Sequence, residues 1–144
     1  YFPESDEGQI WEAAMTAAKY KVDNLTAFLD RNFIQQDSYT EKIMPLDEKL
    51  EGDDISEMWK DASRWKTGDK WRSFGWNVIE IDGHDVDSLV QAMKLSSVKK
   101  PKVILANTVK GKGIKEIEDN MFAWHHRAPT EEEYKKFCEE IYES

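Results

Sequence analysis

Three polar segments follow the short apolar runs of this chain, and they hold most of its candidate chemistry. They lie at residues 30–35, 82–85 and 107–113. In open α/β sheets, ligands bind beyond the carboxyl ends of the strands, where these segments are expected. Asp30, Asn32 and Asp37 offer oxygen atoms suited to a hard cation such as Mg²⁺. An Asx-rich turn after a strand is also ordinary turn chemistry, so both interpretations stay open.

Two further segments carry groups that suit a phosphate. The sequence Lys-Gly-Lys-Gly at 110–113 can approach a phosphate closely, although it does not match G-x-x-x-x-G-K-[ST], and a plain flexible loop is the alternative. His125 and His126 are adjacent, so their side chains diverge and are not expected to share one metal ion. One of them can contact a phosphate or a substrate oxygen, and a surface turn is the alternative.

The remaining reactive residues give weaker signals. Glu7 and Glu12 are five positions apart on a predicted helix, roughly 140° around its axis, so they do not form a carboxyl pair on one face. A dipole-favoured Glu7 and a solvated Glu12 are the simple interpretation. Cys138 falls on the apolar stripe of the last predicted helix, where it is expected to be a core residue.

The apolar spacing predicts the elements that position these residues. Helices are predicted over 5–20, capped by Ser5 or Asp6, and over 69–74. A third helix is capped by Asp85, and the last runs from about Thr130, which caps it. Strands are predicted at 25–29, 76–81 and 103–106. Because strands alternate with helices, we expect parallel pairing. The predicted fold class is α/β, three layers with a mainly parallel sheet and flanking helices, and three strands make that sheet incomplete.

Two predicted helices carry apolar faces. The face of the third helix comprises Val86, Leu89, Val90, Met93 and Leu95, and that of the last comprises Tyr134, Phe137, Cys138 and Ile141. Residues 47–69 are irregular and acidic, with two tryptophans. This stretch is interpreted as an insertion, either a solvated loop and helix or a partner-binding patch.

Composition narrows the function classes. The chain has 144 residues and a net charge of −9, so a general nucleic-acid or anionic-membrane binder is not expected. The apolar fraction of 40% and aromatic fraction of 12% predict a packed core. One cysteine suits a reducing compartment such as the cytoplasm. No apolar run approaches the ~18 residues of a membrane span, and the first residues do not resemble a signal peptide.

Several motifs together resemble the thiamine-diphosphate-binding module of transketolase, in its N-terminal half. They include Glu-Gly-Gln-Ile-Trp-Glu-Ala-Ala-Met, Asp-Arg-Asn, Trp-Asn-Val-Ile-Glu-Ile-Asp-Gly-His-Asp, Asn-Thr-Val-Lys-Gly-Lys-Gly and Trp-His, at 7–15, 30–32, 76–85, 107–113 and 124–125. The resemblance covers most of the chain except 47–69. It is closest to the transketolases whose N-terminal half is a separate subunit. It implies that residues 1–144 are the later part of a larger cofactor-binding domain.

The resemblance also implies roles for individual residues. Asn32, through its side chain, and Ile34, through its backbone carbonyl, match ligands of an Mg²⁺ ion that bridges the cofactor's diphosphate. Glu7 matches a glutamate near the cofactor, and Glu12 resembles its partner in a carboxylate network between two active sites. His125 matches a histidine that contacts cofactor and sugar. The implied reaction transfers a two-carbon ketol unit between sugar phosphates.

The sequence departs from this family at several positions. Tyr1-Phe2-Pro3 stands where the family has Gly-Asp-Gly, so its aspartate ligand is replaced by Phe2. Phe33 replaces a small residue, and His126 and Ser38 stand where the family has glycine. These departures put metal and cofactor binding in question.

Two hypotheses follow. In the first, the chain is a component of a split transketolase, works only in an oligomer with the remaining transketolase chains, and uses thiamine diphosphate and Mg²⁺. In the second, it is a degenerate, non-catalytic module with a structural or regulatory role. Another thiamine-dependent enzyme, such as a dehydrogenase component, shares the fold but fits the motifs less well. An unfinished sheet exposes an edge and an apolar face, so association with a partner is expected.

Overall fold

The computed structural model describes residues 3–35, 38–44 and 66–143. It divides into two compact units, 1–108 and 109–144, which are described separately. Among the described residues of the first unit, the α-helices and strands are α1 (Gly8–Lys19), β1 (Thr26–Arg31), α2 (Thr40–Ile43), α3 (Thr67–Ser73), β2 (Asn77–Asp82), α4 (Val86–Lys94) and β3 (Lys102–Asn107). The second unit holds α5 (Lys115–Asp119) and α6 (Glu131–Glu143). Most of the predicted insertion, 47–69, lies outside the described residues.

The three strands form one parallel sheet in the order β1-β3-β2, which confirms the predicted α/β class. Asn107 at the end of β3 is level with Arg31 on β1 and with Asp82 on β2. The carboxyl ends of all three strands therefore meet at one edge. β3 is buried from Lys102 to Ala106, as expected for a central strand covered on both faces.

One face of the sheet packs against α1 and α3 through a cluster of aromatic and small residues. The buried members are Ala14, Ala17, Leu29, Trp71, Trp76, Val103 and Leu105. Trp71 packs edge-on against Trp76 with ring centroids 4.9 Å apart, and the indole of Trp76 donates a hydrogen bond of 2.9 Å to the carbonyl of Ala14. This bond satisfies the polar atom that the tryptophan carries into the core.

Helix α4 covers the opposite face. Successive side chains of a strand point to opposite faces, so Lys102 points away from the face that Val103 joins. The ammonium of Lys102 donates to the carbonyls of Ala92, Met93 and Leu95, at 2.9, 2.9 and 2.7 Å. These carbonyls lie in the last turn of α4, where no further N–H group of the helix is available to bond them. The buried ammonium therefore caps the C-terminal end of the helix and links it to β3.

The ends of several elements agree with the sequence. Asp85 caps α4 as predicted, because its carboxylate accepts bonds from the backbone N–H groups of Asp87 and Ser88 at 3.0 and 3.2 Å. In the second unit Thr130 and Glu133 form a reciprocal capping box at α6. The hydrogen bond from Arg127, with that from Thr130, lowers the pKa of Glu133 to about 2.

The predicted start of the first helix needs correction. The helix predicted over 5–20 is a 3₁₀ turn, Pro3–Asp6, followed by α1, whose N-cap is Glu7 rather than Ser5 or Asp6. The apolar face of α4 is not buried within the described part of the chain. Only Ala92 is buried on that helix, whereas Val86 and Met93 are 69% and 59% exposed. Helical periodicity identifies an apolar face but not whether the same chain covers it.

The buried Lys102 ammonium gives a test of the fold. We expect Lys102→Met to lower the free energy of unfolding by about 2–4 kcal/mol, because three helix-end carbonyls lose a charged donor. Urea denaturation measures the change. Lys94→Met, at an exposed position in the last turn of α4, is the matched control and should cost less than about 0.5 kcal/mol. Equal losses in the two variants would show that the three bonds contribute no more than surface charge.

Candidate cofactor site

The carboxyl edge of the sheet carries a polar network that joins all three strands. The guanidinium of Arg31 donates to the side-chain oxygen of Asn107 at 3.4 Å, and the amide nitrogen of Asn107 donates to the carbonyl of Ile81 at 3.3 Å. Arg31 is only 1% exposed. Sequence reasoning did not single out Arg31 or Asn107. The feature of the sequence that could have indicated them is a charged residue and an amide residue at the ends of otherwise apolar strands.

Asn32 and Ile34, the predicted metal ligands, lie together in a tight turn after β1. The side-chain oxygen of Asn32 accepts a hydrogen bond from the backbone N–H of Ile34 at 3.0 Å, and its amide nitrogen donates to Asp30 at 3.4 Å. Ile34 is 1% exposed, so its side chain anchors the turn in the core. An amide oxygen keeps a second lone pair after accepting one bond, and this atom fits a hard cation.

Phe33 lies between these two residues in an unusual conformation. Its φ is +61°, in the left-handed region where a Cβ is disfavoured, which accounts for the small residue expected here from the resemblance. The phenyl ring is 4% exposed, and the guanidinium of Arg31 lies 4.4 Å from its centroid. Ring burial and the cation–π contact offset the backbone strain.

Glu7 and Glu12 are both exposed on α1. Glu7 is the N-cap residue, and its side chain makes no capping hydrogen bond. The carbonyl of Glu12 accepts a bond of 2.8 Å from the hydroxyl of Thr16. Within the described residues the two carboxylates share no contact, in agreement with their angular separation. A role in a carboxylate network between chains stays a prediction.

The second unit holds the other candidate groups. His125 lies in a 3₁₀ turn, Ala123–His125, and its Nδ1 is buried without a hydrogen-bond partner among the described residues. Burial, followed by the positive charges of Lys110 and His126, lowers the pKa of His125. A neutral ring with an unused nitrogen can bind a ligand hydroxyl or phosphate oxygen. His126 is exposed, and its ring stands edge-on to Phe122 at 5.3 Å.

In the loop at 110–113, close packing and backbone conformation explain why position 111 is a glycine. Gly111 adopts φ +76°, and a Cβ there would lie 2.0 Å from the side chain of Ile117. The loop at 110–113 therefore packs tightly against the segment that follows it. Cys138 was expected to be a core residue, but it is only half-buried on α6.

Comparison with known proteins identifies the family. The family model described as "Transketolase, thiamine diphosphate binding domain" matches residues 4–141. The chain belongs to this transketolase family. It is 44% identical over 140 residues to a 6-deoxy-6-sulfo-D-fructose transketolase subunit from Clostridium sp. (strain MSTE9), covering 96% of this chain and 44% of that protein. It is 34% identical over 142 residues to an apulose-4-phosphate transketolase subunit from Phocaeicola vulgatus, covering 97% of this chain and 44% of that protein.

A solved structure agrees with the fold. Transketolase from Campylobacter jejuni subsp. jejuni superposes with a TM-score of 0.56 at 24% identity, over 79% of this chain and 15% of that one. The chain thus spans less than half the length of the curated relatives named above. Among the described residues, no helix is long and apolar enough to span a membrane.

The described residues fit the transketolase cofactor in part. In the first unit, the turn at Asn32 and Ile34 leaves an amide oxygen that fits a cation bound to a diphosphate. In the second unit, taken by itself, the orphaned Nδ1 of His125 fits a phosphate oxygen. Within the described ranges no cluster of three or more His, Cys, Asp or Glu side chains is placed to hold a metal ion. Phe2, at the expected aspartate position, and Asp37 lie outside the described residues.

Phe33 gives a test of backbone strain at the site. We expect Phe33→Ala to lower the free energy of unfolding by about 3–4 kcal/mol, because a buried ring is lost and the left-handed backbone remains. Phe33→Gly loses the same ring but relieves the strain, so it should be about 1 kcal/mol more stable than Phe33→Ala. Urea denaturation of both variants measures the difference. An alanine variant as stable as the glycine variant would contradict the strain.

The environment of His125 gives a second test. Removing a nearby positive charge favours the protonated ring, so Lys110→Gln should raise the pKa of His125 towards its ordinary value. An NMR titration of the ring proton signals measures this pKa. Lys112→Gln is the control, because Lys112 lies 3.9 Å from Glu118 and is not among the groups that shift His125. Equal midpoints in wild type and Lys110→Gln would rule out the electrostatic effect of Lys110.

Proposed function

We propose that this chain is a component of a split transketolase that acts with the remaining transketolase chains in an oligomer. The match of the thiamine-diphosphate-binding family over 4–141, with relatives named as subunits, carries the proposal. In this proposal residues 1–144 form the later part of the module, with an insertion at 47–69. The complex works in the cytoplasm and transfers a two-carbon ketol unit between sugar phosphates.

Each site residue has a proposed task. The side-chain oxygen of Asn32 and the backbone carbonyl of Ile34 would be this chain's ligands to the Mg²⁺ that accompanies the cofactor's diphosphate. Their shared turn supports this role, because the hydrogen bond from the N–H of Ile34 fixes the amide oxygen of Asn32 and keeps the two residues close together. When bound, thiamine diphosphate supplies the carbanion chemistry that ketol transfer requires.

The other groups bind or move protons. His125, neutral because its pKa is lowered, contacts a phosphate or a sugar hydroxyl through its unused nitrogen. Glu7, at the start of α1, would lie near the cofactor, and Glu12 would join a carboxylate network with a second active site. The exposure of both carboxylates supports a role towards another chain.

A degenerate, non-catalytic module is the second candidate. The residues Tyr1-Phe2-Pro3, in place of Gly-Asp-Gly, favour it, because a hard cation loses an anionic ligand. Such a chain would associate with the same partners and act structurally or as a regulator.

Reconstitution distinguishes the two candidates. The chain is co-purified with its transketolase partner chains, and binding of thiamine diphosphate with Mg²⁺ is measured by calorimetry beside ketol transfer from a ketose phosphate to an aldose phosphate. We expect binding and transfer in the complex and neither in the isolated chain. A complex that forms but binds no cofactor supports the degenerate module and overturns the enzyme.

The predicted metal ligand gives the sharper variant. Asn32→Ala should weaken Mg²⁺-dependent cofactor binding by at least ~10-fold, because an amide oxygen leaves the metal. Asn24→Ala is the matched control, since Asn24 is exposed and precedes β1 at the other end of the strand. Unchanged binding in Asn32→Ala would remove Asn32 from the site.

A further inference from the structure

Asp30 uses both of its carboxylate oxygens to hold neighbouring side chains. One oxygen accepts a hydrogen bond from the hydroxyl of Thr108, and the other accepts from the amide nitrogen of Asn32 at 3.4 Å. Asp30 is half-buried near the end of β1. Each carboxylate oxygen of Asp30 therefore already accepts a hydrogen bond from another side chain of this chain. We propose that Asp30 is a positioning residue that sets the orientation of the Asn32 amide.

The chemistry of the Asp30 and Asn32 side chains explains why the orientation of the Asn32 amide has to be fixed. The two ends of an amide are nearly equal in size, but only the nitrogen donates and only the oxygen accepts. A carboxylate accepts and cannot donate, so it attracts the nitrogen of Asn32 and repels the oxygen. The oxygen is therefore directed to the backbone N–H of Ile34, at 3.0 Å, with a lone pair left for a cation.

Thr108 connects this arrangement to the central strand. Thr108 follows β3, and its backbone N–H donates to the carbonyl of Arg31 at 3.3 Å. A Cβ on Gly83 would lie 2.5 Å from the methyl group of Thr108 and 3.1 Å from Ala106. Because Gly83 has no side chain, the methyl group of Thr108 can pack against the turn after β2. This contact helps to orient the Thr108 side chain, whose hydroxyl donates to Asp30.

This inference rests on the proposed function only in assuming that the Asn32 oxygen binds a metal ion. The orientation of the amide is a property of the chain itself. It can be measured without metal, cofactor or partner, so the two ideas can fail separately.

The first measurement follows the Asn32 side-chain amide protons by NMR in the full chain. In wild type we expect solvent exchange to be slower than in Asp30→Ala by about fivefold, the factor typical of one hydrogen bond. Asp30→Asn is the rescue variant, because its oxygen can still accept from Asn32 while its nitrogen donates to Thr108. It should exchange like wild type. Thr108→Val should lie between wild type and Asp30→Ala, since Asp30 keeps one of its two contacts.

The second measurement uses Mn²⁺ as the probe, by electron paramagnetic resonance, in the complex with partner chains and thiamine diphosphate. We expect Asp30→Ala to weaken Mn²⁺ binding by about 10–100-fold and Asp30→Asn by less than about threefold. Asp82→Ala is the matched control. It removes a carboxylate from the same sheet edge, where Asp82 accepts a bond from His84 N–H, and should leave the Asn32 signals unchanged.

The outcomes decide the inference in either direction. If the Asn32 amide protons lose their protection from exchange in Asp30→Ala and regain it in Asp30→Asn, the result supports Asp30 as the residue that orients Asn32. Unchanged exchange in Asp30→Ala overturns it, and so does a loss of equal size in Asp30→Asn, which would show that charge rather than hydrogen bonding matters. If the wild-type complex binds no Mn²⁺, the proposed function fails, while the amide-proton measurement still decides the orientation.

Discussion

The parallel pairing of β3 with both of its neighbours is the constraint on which the first unit depends. The register brings Arg31, Asn107 and Asp82 level with one another, so the polar residues that follow each strand meet at a single edge. A shift of one residue would turn every side chain of a strand to the other face of the sheet. The aromatic core on one face and the Lys102 contact on the other both oppose such a shift. The candidate site is therefore a consequence of core packing.

The two faces of β3 are stabilised by different physical means. Val103 and Leu105 join a cluster in which tryptophan rings pack edge to face, and there the gain comes from burying apolar area. On the other face Lys102 binds three helix-end carbonyls, and a buried charge is compensated by strong hydrogen bonds. Together they hold α1 and α4 on opposite sides of one strand.

Local signals in the sequence predicted local features well. Asp85 and Thr130 were recognised as caps because a cap depends on a side chain and backbone groups two or three residues away. The start of α1 was placed wrongly, since Ser5 and Asp6 have the right types for a cap but lie in a preceding 3₁₀ turn. The apolar face of α4 was recognised correctly as a pattern. Whether it is covered depends on what packs against it, which periodicity does not contain.

The sequence by itself determined the class of the fold, the family and the helix caps Asp85 and Thr130, because alternation, caps and motifs are read from the order of residues along the chain. It also indicated Asn32, Ile34 and His125 through their resemblance to known motifs. Only the tertiary structure decided that Asp30 contacts Thr108, 78 positions away, and that Arg31 contacts Asn107, 76 positions away. Contacts between distant segments arise from strand register and close packing, and no single stretch of sequence specifies either of them.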